Sequence, residues 1–192
     1  MLTFEAPINF SVATPPRTGG GWFLSACKLV GLKDFGDDQI LILNPAPRDH
    51  EGFVVSIVRH PVEWLVSLYH NRSKIPATHK PIEMLCELAN KSEDSNHFLR
   101  RVIETYDKKD AGIISQTFDS YQYHSAMRLE DMPWAAIEFF ESVGIPREKS
   151  LALRNLPAQN VREGLVHPRD KGLSREIIEV EYDWCAKFDY WG

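Results

Sequence analysis

Two groups of residues have the types and spacing to hold an anion: Arg17-Thr18-Gly19-Gly20-Gly21, and Arg59 with Ser67 eight positions later. Three consecutive glycines let backbone amides approach a ligand closely, and a helix that begins there aims its unpaired N–H groups at it. Arg17 adds a permanent positive charge and Thr18 a hydroxyl donor at the mouth of the turn. Arg59 offers a planar guanidinium, which together with a serine hydroxyl suits a terminal phosphate. A structural role is the competing reading for both: an ordinary glycine-rich turn, and an Arg59 that pairs with Glu63.

Two familiar phosphate cradles are excluded by the spacing. A Walker A loop requires Gly-Lys before Ser or Thr, and here the nearest lysine, Lys28, lies two turns into the following helix. The dinucleotide fingerprint finds its first two glycines in Gly19 and Gly21, but Leu24 stands at the third place. Asn44, not an acid, follows the next strand.

The elements that must position these groups follow from the apolar pattern. Ile8–Ala13 alternates as a strand, and Trp22–Val30 carries apolar residues at helical spacing up to Gly31. Gln39–Leu43 and Phe53–Val58 read as buried strands, the second β-branched and ending at Arg59. Pro61 opens a helix with His60 as its cap and Val62, Leu65, Val66 and Tyr69 on one face. Helices are expected over Pro81–Asn90 and Asp94–Asp107, whereas Ala111–Tyr123 is ambiguous: Ile113-Ile114 could start a strand, but the rest looks more like a surface loop. Ser125–Leu129 reads as a strand, Pro133 opens a helix closed by Gly144-Ile145-Pro146, and 154–172 looks irregular. A last helix starts at Leu173-Ser174 and runs through Ile177, Ile178, Tyr182 and Cys185. Strands alternating with helices imply an α/β class: a central, mainly parallel sheet flanked by helices in three layers, forming a single domain over 1–192. Parallel strands would bring Arg59 out at the same sheet edge as the glycine turn.

Composition narrows the partners. With 43% hydrophobic and 26% charged residues the chain belongs with globular proteins. Its net charge of −5 with no basic run argues against nucleic acid or an anionic membrane surface as a partner, so an anion must be met by locally placed arginines. The cysteines, Cys27, Cys86 and Cys185, are too scattered for a metal site or a disulfide framework, and no metal is expected. The N-terminal residues lack the pattern of a signal peptide and no long apolar run occurs, from which a cytoplasmic protein without membrane insertion is expected.

Taken together, the motifs resemble the sulfotransferases that use 3′-phosphoadenosine 5′-phosphosulfate, PAPS. That family has Pro-Lys/Arg-Ser/Thr-Gly-Thr-Thr/Ser-Trp/Phe after its first strand, and Pro16-Arg17-Thr18-Gly19-Gly20-Gly21-Trp22 is similar. Its 3′-phosphate motif, Arg-Asp-Pro-x-x-x-x-x-Ser-x-Tyr, is matched by Arg59-His60-Pro61 through Ser67-Leu68-Tyr69. Met127–Met132 with Phe140–Ile145 resembles the family's Tyr-Glu-Asp-Leu segment and its close, and Asn160–Gly164 its late Arg-Lys-Gly segment. Residues 71–123 have no counterpart.

The resemblance implies a P-loop-like sulfotransferase architecture and in-line transfer of a sulfuryl group from PAPS to a hydroxyl or amine, leaving 3′,5′-adenosine bisphosphate. It assigns Arg17, Thr18, Gly19, Gly20, Gly21 and Trp22 to the 5′-phosphosulfate and adenine. Arg59, Ser67, Arg162 and Gly164 fall to the 3′-phosphate, and Arg17 also to the developing charge on the leaving oxygen. His50 is the first choice of general base, with Asp49 and Glu51 as alternatives. The acceptor, a small molecule or glycan, would use residues 71–123. Gly20 and Gly21 depart from the family by lacking hydroxyls, and Glu163 stands where it has lysine. These departures keep two alternatives open: a nucleotide-binding module without transfer, and a kinase-like or dinucleotide-binding enzyme.

Overall fold

Phe53-Val54-Val55-Ser56-Ile57-Val58 is uncharged and rich in β-branched residues, and it forms an inner strand of the sheet. The computed structural model describes residues 10–32, 40–43, 52–75, 80–106, 112–121, 123–158 and 170–191. In chain order the elements are β1 (Phe10–Ala13), α1 (Gly20–Leu29), β2 (Ile40–Leu43), β3 (Phe53–Val58), α2 (Pro61–Asn71), α3 (Lys80–Asn90) and α4 (Ser95–Tyr106). They continue with α5 (Ile113–Asp119), β4 (Ser125–Arg128), α6 (Trp134–Ser142), α7 (Arg147–Leu151), α8 (Lys171–Val180) and α9 (Tyr182–Phe188). The chain divides into two units, each made of two separated segments: Met1–Val58 with Tyr121–Val161, and Arg59–Ser120 with Arg162–Gly192.

The first unit is α/β. Its four described strands lie in the order β2-β1-β3-β4 and every pair is parallel, with Ala13 opposite Leu43 and Ser56, and Val58 opposite Arg128. Parallel strands need crossover connections, and α1 leaves β1 in that role. The side chains of β1 and β3 alternate between faces. Phe10, Val12, Val55 and Ile57 join Phe23, Ala26, Phe139 and Phe140 in one core, whereas Ala13 and Val54 meet Tyr121 and Tyr123 in another cluster. Phe23 stacks on Phe140 with ring centroids 5.3 Å apart, and Phe10 meets Phe139 edge-on at 4.9 Å. These aromatic pairs fix α1 and α6 against the sheet.

The second unit is helical. α2 buries Val62, Trp64, Leu65, Leu68 and Tyr69, against the expected stripe of Val62, Leu65, Val66 and Tyr69. Trp64 meets Phe118 edge-on at 5.4 Å, and Phe118 packs on Trp184 at 4.5 Å. The Tyr69 hydroxyl donates to the Glu93 carbonyl over 3.0 Å, tying α2 to the turn before α4.

Three expectations are corrected. Residues 113–119 are the buried helix α5 rather than a surface loop, with Ile113, Ile114, Thr117 and Phe118 inside. The terminal helix is two helices, α8 and α9, interrupted at Glu181, whose φ of −99° and ψ of 30° leave the helical region. His60 occupies the residue before α2, but its side chain makes no capping hydrogen bond and packs edge-on to Tyr190 at 5.4 Å instead. No described helix is long and apolar enough to cross a membrane.

Candidate functional site

The turn after β1 is shaped by the Pro15 carbonyl. It accepts the Thr18 N–H at 3.3 Å and the Thr18 hydroxyl at 2.7 Å, closing Pro15–Thr18 into a tight loop. Pro16 at the second place and Arg17 with φ of 70° at the third fit a type II turn, whose third residue must be left-handed. Glycine or asparagine normally fills that place; an arginine there costs on the order of 1–2 kcal/mol of backbone energy. The chain thus keeps a cation at a conformation that disfavours it. Thr18 is fully buried and its proton goes to the loop's own backbone, so its hydroxyl builds the turn.

Gly19 then turns left-handed, with φ of 92° and ψ of 15°, and caps α1. A Cβ on it would also sit 2.6 Å from Leu129 Cδ1, so the residue just past β4 is packed on the turn. The first helical hydrogen bond runs from Phe23 N–H to the Gly19 carbonyl at 3.1 Å. The amides of Gly20, Gly21 and Trp22 therefore precede every acceptor that α1 can provide. α1 has no acidic residue in its first turn and no side-chain cap. Gly21 is exposed and Gly20 half-buried. Trp22, assigned to adenine by the family likeness, is 8% exposed and belongs to the core of the first unit.

The described site residues of the second unit are Arg59 and Ser67. Arg59 directly follows β3, and its Nη2 lies 3.9 Å from Glu63 Oε2, with the two side chains 23% and 35% exposed. That distance and exposure make it a loose ion pair. Ser67 is half-buried one helical stretch later, and its carbonyl accepts from Asn71 Nδ2 at 2.8 Å. The structure brings Arg17 through Trp22 together in one turn, and sets Arg59 and Ser67 at the start and middle of α2. His50, with Asp49 and Glu51, and Arg162, Glu163 and Gly164 lie outside the described residues. His124 is built into the sheet. Its Nδ1 accepts from Val54 N–H at 3.0 Å and its own N–H donates to the Val54 carbonyl at 2.8 Å.

Sequence reasoning passed over Glu181. It is 1% exposed, and its carboxylate accepts from Ile114 N–H at 2.8 Å, Ser115 N–H at 3.2 Å and Ser115 Oγ–H at 3.3 Å. Burial pushes its carboxyl up to about 7 from 4.5, against the lowering effect of those three donors, and nearby Asp119 adds to the rise. Cys185, one turn on, is raised to about 11 by burial and by Glu181. Glu181 is a cap supplied from a distant segment, and only its position at the break between α8 and α9 hinted at it. No family model matches this chain, and no curated protein or solved structure matches it.

Proposed function

We propose that the chain is a sulfotransferase that takes PAPS as donor and transfers its sulfuryl group to a hydroxyl or amine of an acceptor. The observation that carries this reading is the β1–α1 turn, where a strained arginine sits beside three glycines and a helix start that lacks any acidic cap. The all-parallel sheet with a phosphate-type turn after β1 is consistent with a P-loop-like sulfotransferase architecture.

In this reading the amides of Gly20, Gly21 and Trp22 bind the 5′-phosphosulfate, and Arg17 balances charge on the oxygen that leaves. Arg59 and Ser67 hold the 3′-phosphate, which orients the donor and converts a bimolecular encounter into a positioned one. The donor supplies an activated sulfur–oxygen bond: the acceptor oxygen or nitrogen bonds to sulfur while the bond from sulfur to the 5′-phosphate oxygen breaks. The acceptor's proton passes to a base, for which His50 is proposed. The fixed cations do the neutralising that a metal would otherwise do. A small molecule or glycan is the proposed acceptor.

The test is calorimetric titration with 3′,5′-adenosine bisphosphate, followed by transfer of labelled sulfate from PAPS to a panel of phenols and sugars. Binding with transfer supports the enzyme. Binding with no transfer to any acceptor favours a nucleotide-binding module. No binding, with stabilisation by ATP and magnesium or by NAD, favours the kinase-like or dinucleotide reading.

A further inference from the structure

Glu181 stands where α8 gives way to α9, while its carboxyl reaches across to the start of α5. α9 hangs on this residue: Cys185 N–H donates to the Glu181 carbonyl at 2.9 Å, and Tyr190 N–H to the Cys185 carbonyl at 3.0 Å. The same segment is seated by aromatic contacts. Trp184 packs on Phe118 of α5 and on Phe188, each with ring centroids 4.5 Å apart, and Tyr190 packs on His60. Gly112 makes room for the carboxyl, since a Cβ there would collide with it. Among the described residues, the titratable groups that act on Glu181 are Asp119 of α5, which is exposed, and Cys185 of α9; no cation there offsets its charge. Its three hydrogen-bond donors reduce the desolvation of a buried carboxylate without cancelling it, which is why the carboxyl is raised to about 7. Ser115 suits either protonation state. Its hydroxyl, 3.3 Å from Glu181 Oε2, donates to a carboxylate and, turned round, accepts from a carboxylic acid.

We propose that Glu181 is a proton-operated latch: neutral, it seats α9 on α5; ionised, it lets α9 lift, taking Trp184 from Phe118 and Tyr190 from His60. The latch stands apart from the sulfotransferase reading and needs nothing of it. In the lifted form the charge regains water and the aromatic contacts are lost, so pH decides which form prevails. A carboxyl raised in the closed form stabilises that form in acid, and the stabilisation goes as the pH climbs. The latch is therefore closed in acid and loosens as the pH rises to about 7 and above. His60, against Tyr190, is also titratable, and Glu181→Gln separates its contribution from that of the latch.

The experiment is amide hydrogen exchange on the whole chain across a pH series, corrected for the intrinsic pH dependence of exchange. It is paired with iodoacetamide labelling located by mass spectrometry, in which Cys27, buried in the first unit, is the reference for Cys185. The opening populations read at Ile114, Ser115, Cys185 and Tyr190 are expected to rise together, about 10- to 100-fold between about pH 5 and about pH 8. Labelling of Cys185 relative to Cys27 rises with them, and the ratio cancels the ordinary gain of thiolate. The Phe23 amide, bonded to Gly19 in the first unit, does not follow. Glu181→Gln abolishes the rise. Asp119→Asn, at an exposed position, lowers it by up to about threefold by removing a like charge. A rise confined to Ile114 and Ser115 makes Glu181 a helix cap alone and overturns the latch. An equal rise at Phe23, which would mean global unfolding, also overturns it, as does an undiminished rise in Glu181→Gln. Should that variant not fold, an undiminished rise in Asp119→Asn overturns it instead.

Discussion

Two helices, α5 and α1, begin in opposite ways. α5, in the second unit, has its first amides answered by Glu181, a carboxylate brought from more than sixty residues away and buried to reach them. α8 is treated similarly, with Asp170 Oδ1 accepting from Gly172 N–H at 2.8 Å and Leu173 N–H at 3.4 Å. α1, in the first unit, receives no such carboxylate among the described residues, and its approach carries Arg17 in a costly conformation. An unanswered helix start costs stability, and the chain demonstrably has the means to answer one. What differs is the environment: α5 opens into protein, while the residues that open α1 include the exposed Gly21. The comparison sets an α1 start with no side-chain cap among the described residues against an α5 start that Glu181 fills.

The sharpest way to break the comparison is to unmake the closed helix start. Glu181→Leu strands the buried Ile114 amide and the partly buried Ser115 amide, and Gly112→Ala drives a Cβ into the Glu181 carboxyl. Each is expected to lower unfolding free energy by about 3 kcal/mol, read by urea denaturation. A loss under about 1 kcal/mol for both would mean that α5 does not depend on its cap.

Next come the open start and its partner motif. Arg59→Ala is expected to weaken 3′,5′-adenosine bisphosphate about 10- to 100-fold by calorimetry. Arg17→Gly removes the charge and the backbone strain together, so it should weaken the same ligand about tenfold while leaving the melting temperature unchanged or slightly raised. A melting temperature several degrees lower would show Arg17 to be structural.

The third effect is on pH. Glu181 has a folded-state pKa raised to about 7 from 4.5, so the stability it contributes is fully present below about pH 4.5 and is lost as pH rises through 7. The loss amounts to at most about 3 kcal/mol for this group. Glu181→Gln should flatten that part of the stability curve, measured by denaturation between pH 5 and about 8. A Gln variant with the same decline would assign it elsewhere. The smallest effect concerns Glu63, which pairs loosely with Arg59. Glu63→Gln is expected to tighten bisphosphate binding about two- to threefold.

The α/β class, the strands and the glycine turn were legible in the sequence because each rests on local signals: β-branched runs, a glycine triplet, a proline at the first helical position of α2. The site's long-range features were not. Ile113, Ile114, Thr117 and Phe118 already have a helical spacing, but what lets α5 begin there is Glu181, and nothing near residue 113 announces it. The break between α8 and α9 has the same cause, since the residue that docks on α5 has left the helical conformation. Thr18 was legible as a hydroxyl of the turn but not as one already used by Pro15.

The most direct test of the central claim follows the backbone amides of both helix starts by ¹⁵N-resolved nuclear magnetic resonance during titration with 3′,5′-adenosine bisphosphate. The account predicts saturable shifts at Gly20, Gly21 and Trp22, with Ile114 and Ser115 unmoved because Glu181 already occupies them. Amides of 20–22 that stay put at saturating ligand would contradict it.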